Sequence, residues 1–317
     1  MSDKPARHPG AWSRGIRAAV SAAVVAAVAL SATGAAASAS AAPVPPPSGI
    51  LGAPTLVAHT HSGDVGYREV GEGSPILLIA GRGMSMDGWA PSFVDGLAAH
   101  HRVVVFDNEG VGETAPLTPP VSVSDMADQT SALITALHLH RPTVLGWSLG
   151  GMVAQALAVR HPNEVSHLVL AATQPGTGAA LPIPPAAAAA LDSSDPAVVM
   201  SVLFPPDQGA AARAYLAGVV QYPHFYAASP AVKAAQDAAI GQWMAGRDPA
   251  GRHLERIHTP ALVADGAQDL LDPSANDRLL RDTVRDSGLV LYPDAGHAFL
   301  FQNTAAFVPA IDAFVHR

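Results

Sequence analysis

The sequence predicts an α/β domain with a mostly parallel sheet, and three observations carry that expectation. Short unbroken apolar runs recur along the chain at 76–80, 103–106, 144–145, 168–170, 262–264 and 289–291. Runs without polar alternation belong to strands covered on both faces, the situation of a parallel sheet between helical layers. Most of these runs are separated by segments with helical periodicity. The chain also has no cysteine, so an ordinary hydrophobic core, not a disulfide framework, has to hold it together.

Residues 1–41 are expected to be an export signal. Lys4, Arg7, Arg14 and Arg17 make a basic start, residues 18–30 are an apolar stretch, and Ala39-Ser40-Ala41 offers cleavage after Ala39 or Ala41. That stretch is too short to span a bilayer, which takes about 20 apolar residues. With no cysteine to carry a lipid, the expectation is a secreted, extracellular protein without a stable membrane anchor. Removing the signal takes away four basic residues and Asp3, which moves the formal charge from −8 to −11. An acidic surface of that kind argues against nucleic acid or anionic membranes as partners.

Residues 42–54 are rich in proline without periodicity and are expected to be a linker. The domain itself is placed at 55–317. Residues 56–59 and 65–70 are strand candidates joined through Ser62-Gly63-Asp64, a hairpin turn composition. Residues 125–137 bring Met126, Ala127, Leu133, Ile134 and Leu137 to one helical face, with Ser124 expected as N-cap. A second helix leaves Ser148 and continues to His161, where Pro162 stops it. A last helix is expected from about Thr304 to Val315.

Between about Gln174 and Thr259 no convincing strand occurs. Asp195-Pro196, Ser229-Pro230 and Asp248-Pro249 each pair an N-cap residue with proline at the first helical position. A helical cap over about 175–258, inserted between two core strands, is therefore expected. Its Leu203, Phe204, Tyr215, Tyr222, Phe225 and Trp243 either line an apolar cavity or form the core of the insertion itself.

The chemistry is concentrated at three points. Gly146-Trp147-Ser148-Leu149-Gly150 puts a serine on a tight strand-to-helix turn whose neighbours have no Cβ bulk, the nucleophile-elbow arrangement. An alcohol is a poor nucleophile at neutral pH and needs a base oriented by a carboxylate. Asp269 follows the apolar run 261–264, and His297 follows the run 289–292, so both leave carboxyl ends of strands on the same sheet edge as Ser148. Asp265 and Asp272 compete for the acid's role. Asp265 still belongs to the strand end and Asp272 precedes the proline that opens the next helix, which favours Asp269. His59-x-His61 has no third ligand, so no metal site is expected.

These motifs resemble the α/β-hydrolase superfamily over nearly all of 55–317. Gly146-Trp147-Ser148-Leu149-Gly150-Gly151, Gly266-Ala267-Gln268-Asp269 and Gly296-His297-Ala298-Phe299 match three of its motifs in order. The resemblance implies an eight-stranded, mostly parallel sheet with a cap after the sixth strand and a Ser148–His297–Asp269 triad. It also implies an oxyanion hole from the backbone N–H groups of Arg82 and Leu149, and no cofactor.

Two departures from the family pattern stand out. Ala80-Gly81-Arg82-Gly83 lacks the histidine that many members carry after the third strand, and Glu109 stands where relatives usually have arginine. The Arg82 side chain either contacts a polar substrate group or is solvated.

The expected activity is that of a carboxylesterase acting on small or medium esters through an acyl-enzyme. The rivals are a cofactor-free perhydrolase or haloperoxidase, a carbon–carbon bond hydrolase using the same triad, and a non-catalytic protein that binds apolar ligands. The sequence leaves the oligomeric state open.

Overall fold

The computed structural model describes residues 49–223 and 225–316. The expected export signal, and residues 42–48 of the linker, lie outside the described residues.

Among the described residues the first element is a 3-10 helix, Gly49–Gly52, whose Ile50 is buried although it lies in the stretch expected to be a linker, and a hairpin of β1 (Leu56–Thr60) and β2 (Gly63–Val70) follows. The chain continues through β3 (Ser74–Ile79), α1 (Pro91–Ala98), β4 (His101–Phe106) and α2 (Val123–Ala136). Next come β5 (Thr143–Trp147), α3 (Leu149–Arg160) and β6 (His167–Ala171). Four helices follow: α4 (Pro185–Leu191), α5 (Pro196–Leu203), α6 (Gly209–Val219) and α7 (Pro230–Met244). The chain then returns to the sheet with β7 (Ala261–Gly266), α8 (Ala275–Thr283) and β8 (Ser287–Tyr292), and ends in α9 (Phe299–Gln302) and α10 (Thr304–Val315).

The strands form one eight-stranded sheet in the order β1-β2-β4-β3-β5-β6-β7-β8. β2 is antiparallel to β1 and to β4, and every other pair is parallel. All six apolar runs named from the sequence are strands. Successive residues of a strand face opposite sides, and in β3 both sides are filled. Ile76 and Leu78 join Phe93, Leu97, Phe307 and Ile311 on one face, while Leu77 and Ile79 join Leu133, Val153 and Leu157 on the other. Fully burying one such side chain is worth about 1.5–3 kcal/mol.

β8 departs from the expectation of a strand buried on both faces, because Gly288 and Val290 are exposed. It is the last strand in the order, with β7 as its one sheet neighbour. The hairpin also turns one residue earlier than expected. Thr60 pairs with Gly63, so His61-Ser62 is the loop and Gly63 and Asp64 already belong to β2.

Two capping expectations are corrected. The N-cap of α2 is Ser122, not Ser124: its hydroxyl accepts from Asp125 N, while the Asp125 carboxylate accepts from Ser122 N, a reciprocal capping box. Ser124 lies inside the helix and donates its hydroxyl to buried Asp248 at 2.6 Å. For the same reason Asp248 caps no α-helix. It accepts from Ser124 N, Ser124 Oγ and Ala250 N, and a 3-10 helix, Gly251–Arg256, follows. Asp195 and Ser229 do cap α5 and α7 as expected.

The helices α4–α7 sit between β6 and β7, the one interruption of the strand–helix alternation. Most of the large side chains named from the sequence pack into the hydrophobic core. Trp243 is fully buried, Leu203, Phe204 and Tyr222 are buried, and the Tyr215 and Tyr222 hydroxyls donate to the carbonyls of Gly88 and Trp89 at 2.9 Å each. Phe225 is exposed. Among the described residues no helix is long and apolar enough to cross a membrane.

Candidate active site

Ser148 stands where β5 becomes α3, with φ 57° and ψ −121°. A positive φ on a non-glycine residue costs of order 1–3 kcal/mol and persists only where its surroundings hold it. Ser148 N donates to Ala171 O at 2.9 Å, and its carbonyl accepts from Gly151 N at 2.9 Å and Thr173 Oγ1 at 2.7 Å. The flanking glycines are sterically required. A Cβ on Gly146 would collide with the carbonyl of Gly150, and one on Gly150 would collide with the carbonyl of Ile79.

Beyond β7, Asp269 presents its carboxylate to His297, whose Nδ1 lies 2.6 Å from Asp269 Oδ2. The other oxygen accepts from the backbone N–H of Leu271 at 2.6 Å and of Asp272 at 2.9 Å, so the carboxylate is held at both ends. A carboxylate can only accept, so Nδ1 carries a proton, and the neutral tautomer this selects has its lone pair on Nε2, as a general base needs. The Asp269 side chain is wholly shielded from solvent and that of His297 nearly so. The rival acids do not bond the imidazole: Asp265 accepts from Gly266 N and Asp272 from Asn276 Nδ2.

Ser148 and His297 share a bridge through Trp147. The indole Nε1 donates to the main-chain carbonyl of His297 at 2.9 Å, and the two ring centroids are 5.6 Å apart. Trp147 in turn packs edge-on against Phe301, which stacks on Tyr215 of α6. Among the described residues, Ser148 Oγ and His297 Nε2 make no hydrogen bond to each other.

The loop after β3 runs alongside the serine turn, since a Cβ on Gly81 would lie 3.3 Å from Ser148 Cβ. The backbone N–H of Arg82 and that of Leu149 donate to no acceptor among the described residues. Two unspent donors beside a strained serine are the raw material of an oxyanion hole. The Arg82 side chain is neither solvated nor free for substrate: it forks onto both oxygens of Asp237 on α7 and reaches Asp192 Oδ1 at 2.8 Å. Gly83 N donates to Gln236 Oε1 at 2.7 Å, and Met84 bridges Ala227. The loop is thereby tied to the helical insertion.

The end of β4 supports the same loop from below. Asn108 Nδ2 donates to Ala80 O at 3.3 Å, and Asp107 accepts from Met86 N at 2.7 Å. Burial pushes the Asp107 carboxyl up to about 7. Glu109, where the resemblance calls for arginine, is anchored by its own N–H to Gln129 Oε1 at 3.2 Å.

One feature escaped the sequence reading. Asp265, Asp272 and Asp277 gather behind Asp269 with ligand-capable oxygens all within 4.8 Å of one another. Burial, and then the neighbouring carboxylates, drives Asp265 and Asp272 well above the usual range and Asp277 up to about 7. The available signal was four aspartates between 265 and 277 directly after an apolar strand, two of which were weighed only as rivals of Asp269.

Residues 74–304 match the family model for the α/β hydrolase fold. The chain is similar to a candidate carbamate hydrolase, RutD, of Caulobacter sp. (strain K31), 30% identical over 271 residues that cover 82% of this chain and 95% of that protein. It is similar to a candidate non-heme bromoperoxidase, BpoC, of Mycobacterium tuberculosis (strain ATCC 25618 / H37Rv), 30% identical with 79% and 97% covered. Among solved structures it resembles an α/β hydrolase fold protein from Chitinophaga pinensis, with a TM-score of 0.77, 26% identity, and 84% and 99% of the two chains covered.

Proposed function

This chain belongs to the α/β-hydrolase family, and from that premise we propose that it is a serine hydrolase of the carboxylesterase type, exported through residues 1–41. The observation that carries the reading is the 2.6 Å contact of His297 Nδ1 with a fully held Asp269, on the same sheet edge as the strained Ser148. A base and its orienter in that arrangement are what an unactivated hydroxyl lacks.

Ser148 Oγ attacks the ester carbonyl while His297 Nε2 takes its proton, and the developing oxyanion sits against the N–H groups of Arg82 and Leu149. Collapse expels the alcohol, which receives the proton from His297, and leaves Ser148 acylated. Water, deprotonated by the same imidazole, then releases the acid. Each N–H donor is worth roughly 3–4 kcal/mol at the transition state. The helical insertion acts as the cap that bounds the substrate, held to the β3 loop by Arg82. The similarity to proteins named for carbamate hydrolysis and for poly(3-hydroxyalkanoate) depolymerisation supports acyl-type substrates.

The test is labelling with a fluorophosphonate and turnover of short-chain p-nitrophenyl esters. Wild type should label and turn over, Ser148→Ala should do neither, and Asp269→Asn should lose about 10⁴ in kcat. No labelling of folded wild-type protein at neutral pH overturns catalysis in favour of ligand binding. Bromination that needs peroxide and a carboxylic acid, without ester turnover, overturns the esterase reading in favour of perhydrolysis.

A further inference from the structure

We infer that Asp265, Asp272 and Asp277 form a binding site for one hard divalent cation, calcium by preference, directly behind the carboxylate that orients His297. The three side chains come from separate places, the end of β7, the loop after it and the first turn of α8, and each is buried to less than 1% exposure. Their oxygens lie within 4.8 Å of one another. Carboxylate oxygens that share a calcium ion at about 2.3–2.6 Å sit no farther apart than about 5 Å.

Unused valence at the cluster points independently to a ligand. Asp277, fully buried, receives no hydrogen bond on either oxygen from another residue, and Asp265 Oδ2 and Asp272 Oδ2 are likewise unpartnered. Elsewhere in the cluster Asp265 Oδ1 accepts from Gly266 N, Asp272 accepts from Asn276 Nδ2 and from the Gln174 side chain, and Asp277 is met only by its own backbone N–H. Asp269 is not part of the gathered set, and its oxygens already accept from His297 and from the N–H groups of Leu271 and Asp272.

Charge makes the same demand. Four carboxylates are crowded into one buried region, and no basic side chain forms an ion pair with Asp265, Asp272 or Asp277 among the described residues. Arg278, the nearest basic residue in sequence, is exposed and donates to Ser274 O and Oγ at 2.9 Å. Buried carboxylates in this state either hold protons or hold a cation. An all-oxygen, all-anionic donor set selects a hard ion over zinc or copper. Calcium tolerates irregular geometry, which suits oxygens drawn from three separate segments better than the near-ideal octahedron magnesium demands, with water or main-chain oxygens completing the shell. Binding would displace protons from the cluster and stiffen the segment that carries Asp269.

The experiment needs no catalytic readout, so its failure is separable from failure of the esterase reading. Full-length protein is stripped with EDTA, re-equilibrated with Ca²⁺, Mg²⁺ or Mn²⁺, desalted, and assayed for bound metal and for its melting temperature. One calcium per chain is expected, with Tm rising about 5 °C at an ion concentration 100 times Kd. Asp277→Asn should lose both the metal and the shift, while Ser148→Ala keeps them. Identical melting of wild type in EDTA and in each metal, with none retained, overturns the inference and leaves a protonated cluster. Metal retention undiminished in Asp277→Asn also overturns it. Should that variant fail to fold, equilibrium dialysis of wild type against ⁴⁵Ca²⁺ decides alone.

Discussion

The indole of Trp147 donates its N–H to the main-chain carbonyl of His297 at 2.9 Å, joining the strand that leads into Ser148 to the loop that carries His297. Trp147→Phe keeps an aromatic ring against Phe301 and removes that donor. A buried carbonyl left without its partner costs about 1–3 kcal/mol. Urea unfolding should show a loss of that size. The His297 loop is also released, so kcat should fall by roughly 10- to 100-fold while KM changes little. An unchanged kcat would show that the indole only packs.

Arg82 links the β3 loop to α7 and to Asp192, and its contribution is separable from that of its own N–H. Arg82→Ala retains the backbone donor and deletes the fork onto Asp237, so local opening of residues 81–84 and 230–237 should speed up in hydrogen exchange. Asp237 is about half exposed, with a side-chain value of 48%, which screens the pair. A double-mutant cycle of Arg82→Ala with Asp237→Ala is therefore expected to give a coupling of about 1 kcal/mol or less. Zero coupling would mean that Gln236 and the Met84 bridge hold the loop unaided.

Ser122 and Ser124 separate what the sequence shows from what it hides. Both precede the same apolar face of α2, and a cap preference alone does not distinguish them. The choice is made by Asp125, three residues after Ser122, and by Asp248, more than a hundred residues away, which takes the Ser124 hydroxyl. Ser122→Ala should cost about 1 kcal/mol, the usual value of an exposed cap. Ser124→Ala should cost about 2 kcal/mol, because it strips a buried carboxylate of a hydrogen bond. Thermal unfolding of the two variants side by side checks the order.

The same division runs through the whole fold. Strands β3 to β7 were legible because a run such as 76–79 or 103–106 has no polar alternation, and the glycines around Ser148 announced a crowded turn. β8 was legible as a strand but not as an edge, since its position in the sheet is set by β7 and not by its own residues. Asp269 and His297 could be named from motif order, and in the fold their side chains lie 2.6 Å apart. The partners of Arg82 and the convergence of Asp277 with Asp265 depend on contacts across the insertion and across α8, which no local pattern encodes.

Asp107 gives a prediction in pH. Its carboxyl is fully buried beneath the β3 loop, and burial raises it from an ordinary 3.8 to about 7. The folded state therefore holds a proton that the unfolded chain releases near pH 4. The associated stability is fully present below about pH 4 and is lost as pH rises through about 7. Asp107→Asn retains an oxygen to accept from Met86 N and cannot ionise, so it should lose this component. Unfolding free energies measured at pH 5 and pH 8 should fall less with rising pH in the variant, the difference between the two proteins' changes being about 2–3 kcal/mol at most. Asp265, Asp272 and Asp277 titrate in the same direction in both proteins and cancel in the comparison. A pH profile identical to wild type would place the proton elsewhere and leave Asp107 ionised at neutral pH.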